Sequence, residues 1–247
     1  MRTPTVLGVY ELSGGVVTNE GVRSPFVLGV GRGRGEFIQT GGEFVSKATE
    51  FRGPAIFGFS NGYGYYALSN GAVKISSKIW VGGINPATCN KGNASYVGTE
   101  SVGKITVAAA DKTKPCSFTV LKTVVLGGLG EGTLEVGPGG TFTGTDLVLS
   151  NNTASVLRLV ADDSGFGEVN LSGRLTVTDG ASLVVDAAGF TGANERRCNL
   201  LTCASMSGSF DPGKVTVLTD KPTEVKVSVT ANGIVLRKVV GTLIMLY

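Results

Sequence analysis

Apolar and polar residues alternate along this chain in short runs with a period of two. Leu134 and Val136 alternate with Thr133 and Glu135, and Leu175 and Val177 with Arg174, Thr176 and Thr178. Val215, Val217, Val225, Val227 and Val229 have Thr, Lys or Ser neighbours, and Leu147-Val-Leu149 and Leu157-Arg-Leu-Val160 are further short runs. A period of two places one set of side chains on one face of a strand, so these runs predict short, half-buried β-strands. Long stretches with helical apolar periodicity are absent.

Glycine turns separate the strands at a regular interval. Val6-Leu-Gly-Val-Tyr10-Glu-Leu-Ser-Gly-Gly15-Val-Val17 is echoed by Gly33-Arg-Gly-Glu-Phe37-Ile-Gln-Thr-Gly-Gly42-Glu-Phe44 and by Gly62-Tyr-Gly-Tyr-Tyr66-Ala-Leu-Ser-Asn-Gly71-Ala-Val73. Gly15 and Gly42 are 27 residues apart, and Gly42 and Gly71 are 29 apart. A second half-motif precedes each turn: Val27-Leu-Gly-Val-Gly-Arg-Gly-Arg-Gly35 matches Ile56-Phe-Gly-Phe-Ser-Asn-Gly-Tyr-Gly64, and Ile79-Trp-Val-Gly-Gly83 holds its opening. Weaker copies follow at Gly103-Lys-Ile-Thr-Val107, Gly132-Thr-Leu-Glu-Val136 and Gly173-Arg-Leu-Thr-Val177. With the second turn residue as marker, the series is Gly15, Gly42, Gly71, Ala110, Gly140 and Gly180, at intervals of 27, 29, 39, 30 and 40. The two long intervals predict insertions, one a turn-rich loop at Ile84–Ser95, the other between Gly140 and Gly180.

A fixed period of this size means one supersecondary unit stacked on copies of itself. The fold class predicted is all-β: a parallel β-helix, or solenoid, of ~27–30-residue coils. Six to eight coils at about 4.8 Å per stacked strand make a rod on the order of 30–40 Å long. A β-propeller blade of about 40–50 residues is longer than the early intervals. Residues 1–190 are predicted to form the array. Residues 191–247 read as a β-rich C-terminal cap, because an open end coil would pair with another chain.

Composition agrees with this and narrows the chemistry. The chain holds 38 Gly among 247 residues and only 17% charged residues. Net charge is +3 with no basic stripe interleaved with aromatics, so nucleic acid is not an expected partner. There is no histidine, which removes Ser-His and Cys-His nucleophile pairs and the commonest metal ligand. No metal or cofactor site is predicted. The four cysteines, Cys89, Cys116, Cys198 and Cys203, form no CxxC; they are candidates either for two disulfides in an exported protein or for small apolar fillers. Cys198 and Cys203 would face opposite sides of one continuous strand and could pair only across a turn. No transmembrane segment is expected: no stretch reaches the ~20 apolar residues of a span, and Gly241–Tyr247 is too short. No signal peptide precedes the first repeat, so the expectation is a fragment of a longer exported chain.

These repeats resemble the autotransporter-associated β-strand repeats of large secreted or surface proteins of Gram-negative bacteria. The pieces that carry the resemblance are Gly35-Glu-Phe-Ile-Gln-Thr-Gly-Gly42, Gly64-Tyr-Tyr-Ala-Leu-Ser-Asn-Gly71, Gly103-Lys-Ile-Thr-Val107 and Gly173-Arg-Leu-Thr-Val-Thr-Asp-Gly-Ala-Ser-Leu183. Leu200-Leu-Thr-Cys-Ala-Ser-Met-Ser-Gly-Ser-Phe210 is similar to the segment that often follows such arrays. The resemblance implies a right-handed parallel β-helix passenger that is exported and often adhesive. The chain departs from it in holding no C-terminal membrane barrel and in carrying four cysteines.

Candidate site residues are few. Tyr63, Tyr65 and Trp80, with Tyr66, form the densest aromatic group and are candidates for sugar contact, although Tyr66 shares the repeat slot of Tyr10 and Phe37 and reads as a core stack. Gln39 occupies the slot of Leu12 and Leu68, so a buried amide seeking backbone partners is expected. Ala161-Asp-Asp-Ser-Gly165 reads as a polar turn before it reads as a calcium site, and Gly31-Arg-Gly-Arg-Gly35 as a turn, because a strand follows where a dinucleotide site needs a helix. Asn93-Ala-Ser95, Asn151-Asn-Thr153 and Asn170-Leu-Ser172 are glycosylation-type triplets of little weight in a bacterial protein. The function expected is an exported, non-enzymatic structural or adhesive protein of the cell surface. It would present loops to a carbohydrate or cell-surface protein, with self-association through coil ends or edges. The competing expectations are a polysaccharide-binding or polysaccharide-degrading β-helix, which requires carboxylates or Lys/Arg aligned across coils, and a fibre like a phage tail-spike.

Overall fold

The computed structural model describes residues 7–21, 25–48, 54–84, 99–150, 154–192, 196–220, 222 and 224–239. The chain runs through β1 (Leu7–Leu12), β2 (Val16–Asn19), β3 (Phe26–Val30), β4 (Arg34–Gln39), β5 (Glu43–Ser46), β6 (Ala55–Phe59), β7 (Tyr63–Leu68), β8 (Gly71–Ile75) and β9 (Ile79–Val81). It continues through β10 (Val102–Val107), β11 (Cys116–Val120), β12 (Val124–Leu126), β13 (Glu131–Val136), β14 (Gly140–Gly144), β15 (Leu147–Leu149), β16 (Ser155–Asp162) and β17 (Gly165–Phe166). The last elements are β18 (Glu168–Leu171), β19 (Arg174–Val177), β20 (Ser182–Gly189), β21 (Arg197–Thr202), β22 (Ser205–Ser207), β23 (Val215–Leu218), β24 (Val225–Thr230) and β25 (Gly233–Lys238).

Consecutive strands go to three sheets in turn. Sheet 1 is β1-β4-β7-β10-β13-β16-β20-β23, sheet 2 is β2-β5-β8-β11-β14-β18-β21-β25-β24, and sheet 3 is β3-β6-β9-β12-β15-β19-β22. Pairing between successive coils is parallel throughout. Antiparallel pairs are confined to β16–β17, β21–β25 and β24–β25 among the described residues. The protein is therefore all-β, with many-stranded parallel sheets arranged as in a solenoid. Parallel pairing continues past residue 190 to Leu218, and the β24–β25 hairpin then folds back onto β21.

The period of two explains how the core fills. Alternate residues of each strand point inward and stack in columns. In sheet 1 one column is Tyr10, Phe37, Tyr66, Ile105, Leu134, Leu157, Leu183 and Val215. In sheet 2 the matching column is Val17, Phe44, Val73, Phe118, Phe142, Val169 and Leu201. The rings of Tyr10 and Phe37 lie 4.7 Å apart and those of Phe37 and Tyr66 4.8 Å apart. That is the spacing of neighbouring strands, so equivalent rings stack without strain.

Two glycine columns lock the corner between sheets 3 and 1. Gly29, Gly58, Gly82 and Gly127 all have positive φ and stand in register at the ends of sheet 3 strands. Each faces a glycine of sheet 1: a Cβ on Gly35, Gly64, Gly103 or Gly132 would fall on the backbone nitrogen of its partner. In the next coil both positions change together. Ser150 takes the place of Gly127 and Ser155 that of Gly132, and the buried Ser155 hydroxyl donates toward the Leu126 and Ser150 carbonyls at 2.9 and 2.8 Å.

The register corrects the later part of the predicted series. Cys116, not Ala110, stands opposite Gly71 and Gly140, because residues 108–115 form a loop before β11. Gly180 is not in that column either: Thr141 pairs with Glu168, so Gly167 follows Gly140, and Gly180 lies in the turn from β19 to β20. The segment after Leu147 is an ordinary coil, with the β16–β17 hairpin as its addition. The predicted loop lies, apart from Ile84, outside the described residues.

Candidate functional site

Outward side chains of sheet 1 form a strip along the solenoid axis. Arg34 and Glu36 of β4 form an ion pair. Their neighbours on β7 are Tyr63 and Tyr65, in register with them. The Arg34 guanidinium lies 4.5 Å from the centre of the Tyr63 ring, and Lys104 Nζ of β10 lies 5.9 Å from that of Tyr65. Lys104 Nζ then reaches Glu135 Oε2 of β13 at 3.0 Å. Arg158 of β16 approaches the same carboxylate at 3.9 Å and pairs with Asp186 of β20 at 2.5 Å. The strip covers six strands, about 24 Å at ordinary strand spacing.

Its electrostatics are balanced. Three cations and three carboxylates alternate, the cations about a third exposed or more and the carboxylates largely buried, so each partly screened pair contributes modestly to stability. Thr106 Oγ1 and Arg158 Nε, on the strands beside Glu135, are buried and find no hydrogen-bond partner within the protein. Both atoms are shut off from solvent, and the Arg158 Nε faces the Glu135 carboxylate at 3.9 Å.

The structure separates the predicted aromatic group. Tyr63 and Tyr65 lie together on this outer face. Tyr66 points inward and is fully buried. Trp80 belongs to sheet 3: it is only 3% exposed and packs with Ile56, Ile84 and Val125 in a second apolar cluster, with Lys78 Nζ 4.4 Å from its ring centre. All three residues of β9 are buried, so the period of two does not show which way Trp80 faces.

Gln39 behaves as its slot requires. Its Nε2 donates to the Gly42 and Ala72 carbonyls at 3.0 and 3.1 Å, and its Oε1 accepts from the Tyr66 hydroxyl at 2.6 Å. Burial raises the Tyr66 phenol well above its ordinary range.

The carboxylates of the Asp162-Asp163 turn diverge. Asp162 meets Lys112 at 3.0 Å, whereas Asp163 accepts from the Thr191 backbone at 2.6 Å. Burial pushes the Asp162 carboxyl up, but hydrogen bonds from Ser164 and Lys112 outweigh it and hold it below its ordinary value. No group of three or more Cys, Asp or Glu converges as a metal site among the described residues. Gly31–Gly33 form the β3–β4 turn, and Arg34 and Gly35 open β4. Asn170 accepts from the Thr202 hydroxyl at 2.9 Å, while the triplets at Asn93 and Asn151 lie outside the described residues.

Cys116, Cys198 and Cys203 are buried, and no disulfide joins any two of them; Cys89 lies outside the described residues. Cys198 and Cys203 do not share one continuous strand: β21 has a register shift between Asn199 and Leu201 and ends at Thr202. Both residues are buried in the main apolar core. Burial pushes the Cys116 thiol from 9.0 up to about 11 and raises Cys203 as well. A group that binds its proton more tightly when folded stabilises the fold fully below its unfolded value, and that contribution fades as pH rises through the folded one. The denaturation midpoint should therefore hold between pH 7 and 8 and fall between about 9 and 11, with Tyr66 adding the same sign above 10.0. Urea titrations across this range check it.

The charged half of the strip, Lys104, Glu135, Arg158 and Asp186, was not among the residues singled out from sequence. The repeat gives part of the signal: with Gly103 set on Gly132, Lys104 and Glu135 fall two positions apart on the same face of adjacent strands. Comparison with protein-family models, with curated proteins and with solved structures gave no match.

Proposed function

We propose that this chain is a non-enzymatic, exported adhesive scaffold of the right-handed parallel β-helix type, similar to autotransporter-associated repeat proteins. Its working face is the outer strip of sheet 1, and its partner is an extended surface polysaccharide. The observation that carries this reading is the pair Tyr63 and Tyr65, side by side on β7 and flanked by Arg34 and Lys104. Phenol rings offer an apolar face for the C–H side of a sugar ring, and the flanking charges offer partners for its hydroxyls. Tyr63 and Tyr65 are two residues apart on one strand, about 7 Å along it, so the two rings can meet one sugar or two neighbouring ones.

A second reading, polysaccharide cleavage, is favoured by the alignment of Glu135 and Asp186 across coils. Both carboxylates already face Arg158, and Glu135 also faces Lys104. Both carboxylates are thus engaged in ion pairs across the strip, so the strip reads first as a binding face. The test is a glycan-array screen with the wild-type chain and with Tyr63→Ala/Tyr65→Ala. The double variant should lose at least tenfold in affinity, while its melting temperature stays close to wild type because both rings are outside the core. Undiminished binding would remove this face from consideration.

A further inference from the structure

We propose that the outer face of sheet 3 carries a second carbohydrate site, a groove that takes one neutral disaccharide and does not depend on the tyrosine strip of sheet 1. The outward column of sheet 3 changes character along the solenoid. Ile56, Trp80 and Val125 are apolar and buried. Val148 and Thr176, next in register, are half-buried, and Ser207 is exposed. Where the buried apolar residues end, a groove of about 490 Å³ opens, and its lining includes Thr123, Asp146, Val148, Arg174, Thr176 and Ser205. That volume falls within the range of small-molecule sites, about 300–1,000 Å³.

Two rows of side chains build the groove. Thr123 and Asp146 stand just before β12 and β15, and Arg174 and Ser205 open β19 and β22. These four take successive strand steps on the outer face, about 14 Å in all. Val148 and Thr176 form the second row, two residues further along β15 and β19. Asp146 is held in a fixed seat. Its Oδ1 accepts from the Arg174 backbone N–H at 2.8 Å, and the seat needs glycine at position 173, because a Cβ there would strike that oxygen.

Seated this way, the Asp146 carboxylate does not pair with the Arg174 guanidinium, although the two residues are neighbours in register. The guanidinium, Asp146 Oδ2 and the hydroxyls of Thr123, Thr176 and Ser205 have no hydrogen-bond or ion-pair partner among the described residues. The strip on sheet 1 differs in this respect, since each of its charges meets an opposite one.

This set of groups selects the ligand. One carboxylate and one guanidinium side by side leave the groove with no net charge, so an acidic sugar would meet Asp146 and a cationic peptide would meet Arg174. Two neighbouring hydroxyls of a neutral sugar suit both: one donates to Asp146 Oδ2 while the other accepts from the guanidinium fork, each bond charge-assisted. The Thr123, Thr176 and Ser205 hydroxyls donate or accept as further sugar hydroxyls require. Val148 offers apolar surface to the C–H side of the ring.

Calorimetric titration of the full chain with maltose, cellobiose and lactose tests this. At least one of these should bind saturably, at one site per chain. Asp146→Asn keeps the Oδ1 seat but puts a donor in place of Oδ2, and Arg174→Gln removes the fork. Each should weaken binding at least tenfold and leave the melting temperature close to wild type, because neither replaces a core contact. Tyr63→Ala/Tyr65→Ala should leave this binding unchanged, which separates the groove from the strip. Absence of binding to all three sugars would overturn the proposal, as would binding indifferent to both groove substitutions or binding lost with the tyrosines. Tighter binding of glycylglycine, whose ammonium and carboxylate match the same two charges, would overturn the assignment to a sugar.

Discussion

Gly132→Ala is expected to destabilise the fold by about 3 kcal/mol or more, at the severe end of overpacking, or to prevent folding. The reason lies in the corner between sheets 3 and 1. A methyl group on Gly132 would fall on the Gly127 nitrogen and the Val81 carbonyl oxygen. Both are backbone atoms held in the ladder: the Gly127 N–H donates to that same Val81 carbonyl at 2.8 Å. No side chain can rotate away, so two coils would have to part. Gly144→Ala is the matched control. Its Cβ would meet only the ends of Leu171 and Phe142 at ordinary contact distances of 3.4 and 3.5 Å, and its stability should stay within about 1 kcal/mol of wild type. Urea denaturation of both variants decides it; equal stability would mean that the glycine columns do not govern coil stacking.

The second large effect is expected at Tyr66 and Gln39. Tyr66→Ala removes the central ring of the stack, which touches Phe37, Phe118 and Phe57, and should cost about 3–5 kcal/mol. The more discriminating experiment is a double-mutant cycle. Tyr66→Phe leaves the Gln39 Oε1 buried without its donor, and Gln39→Leu leaves the Tyr66 hydroxyl without its acceptor; each should cost about 1–3 kcal/mol. The double variant should recover much of that loss. It removes both members of the bond, and leucine already fills the same column at Leu12 and Leu68. Additive losses would show that the Tyr66–Gln39 bond is not the reason a glutamine is tolerated in the core.

Much of this core was legible in the sequence because each coil repeats the same constraint. Tyr10, Phe37 and Tyr66 fall in one slot because their rings must stack at the strand spacing, and Gln39 reveals itself as the polar residue in a leucine column. The glycines at positions 35, 64, 103 and 132 recur because each meets the backbone of the neighbouring turn. Legibility ends where the constraint is met another way. Cys116 occupies the turn-glycine column without being glycine, so the marker series slips to Ala110; it slips again to Gly180, although Gly167 holds the column, because the turn from β19 to β20 carries a glycine too. The irregularity in β21 is likewise silent, since nothing near Asn199 announces it. The charged strip on sheet 1 was hidden for a different reason. Its charged members lie on five different strands, and only the register brings Lys104, Glu135, Arg158 and Asp186 together.

The strip also gives the account its sharpest exposure. Wild-type chain and the Tyr63→Ala/Tyr65→Ala variant would be titrated with a polysaccharide retained in the array screen, and new chain ends would be assayed over the same incubation. The account predicts saturable binding that depends on the two tyrosines and leaves the polysaccharide at its original length. Release of shortened chains, or binding that survives loss of both rings, would contradict it.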